Sequence, residues 1–207
     1  MALYPFAELT EKKESYMSDA VTHADLQAPL ARYSLLAQAF HWVSAALMFA
    51  VVPIAWYMTT LERTDPTRED WYSLHKSIGI TILVLSVLRV IWRQLDAPPS
   101  LSGFMRPVEV AAVHVAHGLL YVLLFAMPIS GYLISAAGGH PVVLFGLLPV
   151  PALVPVDHEL AKIGHTLHDL GQWALYGLVG LHVLGTGFHV FIRRDGLLGR
   201  MLPWRVG

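Results

Sequence analysis

The stretch LGQWALYGLVGLHVLGTGFHVFI, residues 170–192, runs 23 residues without a charge. As a helix it is about 34 Å long, enough to cross a hydrocarbon core of about 30 Å. Two histidines, His182 and His189, sit inside it. An ionisable side chain in a span is unfavourable unless it has work to do, so these positions point to function as well as to fold.

Three further segments read the same way. Residues 36–58 lie in a stretch free of charge from 33 to 61, residues 74–92 carry only Lys76, Arg89 and the flanking Arg93, and residues 110–134 are uncharged. With 169–192 they predict an all-α integral membrane four-helix bundle. Composition agrees. The 207 residues are 55% hydrophobic and 14% charged, with a mean hydropathy of +0.53, whereas a soluble domain is about a quarter charged. A formal net charge of −1 gives no basic face and excludes a nucleic-acid partner.

Residues 1–32 mix charges of both signs and lack the apolar core of a signal peptide, so a disordered polar tail is expected ahead of a membrane domain at 33–204. The link at 135–165 is apolar but broken by Pro141, Pro149, Pro151 and Pro155. It predicts an outer loop lying as a lid on the membrane surface rather than a fifth span. Four spans put both termini on one side. Ten of the 14 Lys and Arg residues fall there, which predicts cytoplasmic termini.

The chain has no Cys. Disulfides, iron–sulfur clusters, thiolate-bound metals and covalently attached haem are excluded together. It has 11 His instead, and those within spans are His41, His75, His114, His117, His168, His182 and His189. His168 and His182 share a helix face and are separated by about 21 Å along the axis. Counting from the charged span ends sets His75 and His168 near the outer surface, with His41 and His182 nearer the inner one. His189 matches the depth of His41 less well, and His165 is turned off the His182 face.

Facing imidazoles without a thiolate or carboxylate suit bis-His haem, necessarily b-type, and six-coordinate iron suits electron transfer rather than oxygen binding. Two alternatives use the same residues. The H-x-x-H spacings His114/His117 and His165/His168 could help complete a zinc or copper site, and a non-redox protein could pass metal ions or protons along the histidines. His117 is a candidate hydrogen-bond partner for a haem propionate, although His114 and His117 also suit an ordinary membrane interface. Arg89 reads either as a propionate partner at the inner level or as a snorkelling interfacial cation. Lys76 is a propionate candidate for the outer level. Trp42, Trp56, Trp71, Trp92 and Trp173 read as interface anchors.

The segments AFHW (39–42), LHKSIGITIL (74–83), VLRVIWR (87–93), VHVAHGLLYVLLFAMPISGY (113–132), HDLGQWALYGLVGLH (168–182) and FHVFIRRDGLLGRMLP (188–203) resemble the prokaryotic cytochrome b561 family. That resemblance covers residues 33–204. It implies a multi-pass protein of the bacterial inner membrane with two b haems per chain, ligated by His41, His75, His168 and His182. It also implies a quinone partner, ubiquinone or another. Two activities fit: superoxide:ubiquinone oxidoreductase, or relay between quinone and a redox protein partner. A haem-containing anchor subunit of a larger oxidoreductase is the further alternative. The long tail and His165 depart from the family pattern.

Overall fold

The computed structural model describes residues 31–100 and 105–204. The polar tail of residues 1–32 lies outside the described residues except for its last two positions. The described residues from Arg32 onward form one compact unit. Four long helices build it: α1 (Leu35–Thr60), α2 (Arg68–Leu95), α3 (Pro107–Ala137) and α4 (His158–Gly187). Each is long and apolar enough to cross a membrane. "Outer" below means the end of the bundle away from the C-terminal segment.

Local chemistry sets the helix ends. Ser34 Oγ accepts from the Ala37 N–H at 3.3 Å and caps α1. Glu69 and Asp70 occupy the first turn of α2 and Arg93 its last, each favourable to the helix dipole. Pro107 opens α3, where a proline loses no helical hydrogen bond, and Glu109 accepts from the Arg106 N–H at 2.9 Å. Asp157 caps α4 by accepting from the N–H groups of Glu159 and Leu160 at 2.9 and 3.1 Å. Beyond Gly187, α4 passes into a π-helical turn, Phe188–Arg193, and a 3-10 turn, Leu197–Met201. Between them Arg194 and Gly196 are left-handed, with φ of 53° and 73°.

Two boundaries differ from the sequence reading. Helix α2 begins at Arg68, inside the polar stretch before position 74, and α4 begins at His158, inside the segment read as outer loop 135–165. Both extensions are more polar than the spans they lead into and rest on helix-start chemistry, Glu69 and Asp70 in the first turn of α2 and the Asp157 cap of α4. The remaining connection, 138–157, holds a β-hairpin of β1 (Val142–Leu144) and β2 (Leu148–Val150).

Side-chain sorting is that of a protein in lipid. The fully buried side chains include Ser77 and Ser86, whereas Leu181, Phe191, Ile192 and Trp173 are largely exposed. Small residues let helices approach, and large apolar ones face acyl chains. Ser77 and Ser86 satisfy their hydroxyls within their own helix, Ser77 donating to the Ser73 carbonyl and Ser86 to that of Ile82. Helix α1 packs on α2 around Val51, Ile78 and Ile82. Helix α2 packs on α3, and α3 on α4, but no comparable backbone packing joins α4 to α1 or α2.

The α3–α4 contact is the closest because of glycine. Gly164 and Gly171 lie seven residues apart on the α4 face that carries His168. A Cβ at Gly164 would stand 3.1 Å from both the Ser130 carbonyl oxygen and the Ile134 nitrogen. On α3, a Cβ at Gly131 would stand 3.3 Å from the His168 ring.

Candidate functional site

Three helices deliver four histidines to two levels. At the outer level, the rings of His75 on α2 and His168 on α4 have centroids 6.2 Å apart at 75°. At the inner level, His41 on α1 and His182 on α4 also stand 6.2 Å apart, at 63°. The two positions on α4 are about 21 Å apart along the helix axis.

The 6.2 Å spacing is chemically specific. Two imidazoles ligating one metal from opposite sides, each at about 2 Å, have ring centres roughly 6 Å apart. Direct ring packing can be tighter, as with His117 and His182, whose centroids are 5.4 Å apart. Both pairs lie where α4 is not packed backbone-to-backbone on the partner helix. Among the described residues, no group of three or more His, Asp or Glu side chains is placed to hold a bare metal ion. The donor set, two imidazoles at each level with no third protein ligand beside them, would suit a b haem, which His75 and His168 at one level and His41 and His182 at the other could hold.

Neighbours orient the rings. His168 Nδ1 lies 3.1 Å from the Met127 carbonyl and 3.0 Å from Ser130 Oγ. Ser130 spends its own hydroxyl proton on the Met127 carbonyl at 2.9 Å, so its oxygen accepts from His168. The His168 proton is thereby fixed on Nδ1 and Nε2 is left with its lone pair, the form needed for a ligand.

At the inner level, Arg89 Nη2 is 3.4 Å from His41 Nδ1, and the Arg89 guanidinium stands 5.3 Å from the Tyr121 ring centre. The Arg93 guanidinium stands 5.8 Å from the same ring centre. His117 lies one turn before Tyr121 on α3. His41, Arg89, His117 and His182 thus form one polar layer drawn from all four helices.

The remaining candidates are placed elsewhere. Lys76, read as an outer propionate partner, lines a small cavity of about 230 Å³ with Glu69, Asp70, Ser73, Pro141 and Val143. That face of α2 is turned about 100° from His75. His189 is held by Asp195, Nδ1 to Oδ2 at 2.5 Å. His114 and His165 are exposed. Trp42 and Trp92, read as membrane anchors, donate within the protein: Trp42 to the Met201 carbonyl at 2.6 Å, and Trp92 to Ser34 and Asp96 at 3.2 and 3.1 Å. Ser130 and Tyr121 were not singled out in the sequence. A hydroxyl in an apolar span and the i, i+4 pairing of His117 with Tyr121 opposite Arg89 and Arg93 were the available signals.

Comparison with known proteins gives the same picture. The family model for prokaryotic cytochrome b561 matches residues 32–204. "Cytochrome b561 homolog 2" of Escherichia coli is 38% identical over 175 residues, covering 83% of this chain and 91% of the relative. "Probable superoxide oxidase CybB" of Yersinia pestis is 32% identical over 178 residues, covering 85% and 98%. "Cytochrome b561 homolog 1" of Escherichia coli is 26% identical over 178 residues, covering 84% and 98%. With four membrane-crossing helices and paired imidazoles in the bundle, the chain belongs to the prokaryotic cytochrome b561 family, multi-pass membrane b cytochromes of electron transfer.

Proposed function

We propose that the chain binds two b haems and carries electrons across the bacterial inner membrane in a quinone-linked chain, with ubiquinone or another quinone as partner. The observation that carries this reading is the pair of imidazole couples, each at 6.2 Å, set at two depths of one bundle. Haem iron, when bound, supplies a one-electron ferric–ferrous couple at each level.

In this reading His75 and His168 hold the outer haem, and His41 and His182 the inner one. Met127 and Ser130 set the His168 tautomer. Arg89 supplies a positive charge at the inner level, where it can meet a propionate and favour the reduced state. His117 is a second inner propionate partner, and Lys76 an outer one through its long, flexible stem. The Lys and Arg bias supports termini in the cytoplasm, which makes the His75–His168 level the outer one.

Superoxide as the outer electron donor is favoured by the relative named a probable superoxide oxidase. One electron would leave superoxide as dioxygen and reach the quinone on the far side. A redox protein partner is the other donor class, and a haem-bearing subunit of a larger oxidoreductase would use the same two sites. Transport of bare metal ions by these histidines is less well supported, since three-ligand groups are lacking among the described residues.

The test is a pyridine haemochrome count with reduced-minus-oxidised spectra on the purified membrane protein and its His41→Ala, His75→Ala, His168→Ala and His182→Ala variants. About two b haems per chain are expected, with each substitution perturbing one. Protein without haem from a haem-sufficient host would overturn the reading.

A further inference from the structure

The α3–α4 connection has turn geometry and turn chemistry that disagree. The Leu147 N–H donates to the Leu144 carbonyl at 3.0 Å, closing a turn around Phe145 and Gly146. Both central residues have positive φ, 49° and 71°. Turns of this hand normally take Asn-Gly or Asp-Gly, because a bulky side chain is strained there. Here the strained position holds Phe, and the tip reads LFGLL. Phe145, Leu147 and Leu148 are 53%, 87% and 62% exposed. Residues 138–156 contain no Asp, Glu, Lys or Arg.

The tip also sits deep. The Phe145 N–H donates to Ser77 Oγ at 2.8 Å, and Ser77 lies two residues further into α2 than His75. Helix α2, with 28 residues, runs about 42 Å, roughly 12 Å longer than the hydrocarbon core. Centred on that core, its outer end projects by about 6 Å. Ser77 is about 13 Å along the helix from Arg68, so the turn lies about 7 Å inside the hydrocarbon. At that depth water cannot satisfy a loose backbone N–H, and a helix hydroxyl does so instead. Tyr132 treats the return strand similarly, donating to the Pro151 carbonyl and accepting from the Leu153 N–H at 2.8 and 2.6 Å.

We propose that the 142–150 hairpin is re-entrant: its tip enters the outer leaflet beside His75 and takes lipid acyl chains as its partner. Lipid is favoured over a docking protein because the tip residues 144–148 carry no charge by which a soluble redox partner would be steered, the charges of Glu69, Asp70 and Lys76 standing beside Pro141 and Val143 on the first arm of the hairpin. It is favoured over water because an apolar residue is kept where turn geometry calls for Asn. This inference stands apart from the haem reading and needs only the four spans.

The chain has no Cys, so one introduced Cys carries a single nitroxide label. The full chain with Leu147→Cys would be labelled in phosphatidylethanolamine–phosphatidylglycerol vesicles. Collision with dioxygen, which partitions into lipid, is then compared with collision with a water-soluble nickel chelate. Glu159→Cys on the outer surface and Leu119→Cys on the lipid face of α3 set the two extremes. The expected result matches Leu119, with dioxygen collisions exceeding nickel collisions several-fold. A label as nickel-accessible as Glu159 overturns the proposal. So does exclusion of both reagents, the result of a second copy or a protein partner covering the tip. Phe145→Cys and Leu148→Cys repeat the reading if Leu147→Cys fails to fold.

Discussion

Ser130 Oγ lies 3.0 Å from His168 Nδ1, across the tightest helix contact in the bundle. Because Ser130 donates to the Met127 carbonyl, it can only accept from the imidazole. Two acceptors therefore hold one ring proton. In Ser130→Ala the Met127 carbonyl remains, so His168 keeps its tautomer but loses rotational restraint. Haem affinity at the outer level is expected to fall about tenfold, the low end for loss of a ligand's hydrogen-bond partner. Haem titration of the stripped protein checks this. Unchanged affinity at both levels would show that Ser130 does not position His168.

Arg89 and His41 stand in the opposite relation. A guanidinium only donates, so at 3.4 Å His41 Nδ1 is the acceptor and its proton sits on Nε2. A His41 that ligates through Nε2 carries its proton on Nδ1 and offers Arg89 no acceptor. Arg89 then turns to another acceptor, and a propionate suits its fork. Arg89→Gln removes the charge and is expected to lower the inner haem potential by on the order of 50 mV, leaving the outer one in place. A spectroelectrochemical titration resolves the two components. Equal movement of both would contradict a local role.

Three spans were legible because a charge-free run of membrane length fits little besides a bilayer, and the span at 74–92 because only Lys76 and Arg89 interrupt its apolar run. The histidine levels were legible because helical rise is fixed, so counting residues from charged ends measures depth. Rotation about the helix axis was another matter. Whether Ser130 or Tyr121 faces a neighbour depends on how α3 is seated, and Gly131 and Gly164 set that through contacts no periodicity encodes. The start of α4 was missed because the mixed-polarity stretch HELAKIGHTLHD is announced by the Asp157 cap rather than by hydropathy. The hairpin was missed because prolines and uniform apolarity hid a three-residue pairing register.

His182 has two imidazole neighbours, and their distances separate ligand from bystander. His41 stands at 6.2 Å, room for a metal between the rings, and His117 at 5.4 Å. His117→Gln is therefore expected to retain about two haems per chain with a perturbed inner spectrum, while His41→Gln retains about one. The haemochrome count decides. Loss of a haem in His117→Gln with full retention in His41→Gln would reverse the assignment.

The glycines of α4 make a graded test of whether helix approach builds the outer site. At Gly164 an added Cβ meets two backbone atoms of α3 at 3.1 Å, and a helix backbone gives way far less readily than a flexible side chain. Gly164→Ala should push α4 from α3 at Ser130, destabilise the protein by about 1–3 kcal/mol and loosen the outer haem. At Gly171 the Cβ would meet Met127 Sδ at 2.5 Å, the end of a flexible side chain that can swing aside, so a milder effect is expected. At Gly177 nothing lies within 4 Å, and alanine should be neutral or slightly stabilising through helix propensity. Thermal unfolding in detergent ranks the three, and the outer haem's absorption band shows whether the ranking carries into the site. If Gly164→Ala unfolds like Gly177→Ala and leaves the band unmoved, close α3–α4 contact is not what holds His168 against Met127 and Ser130.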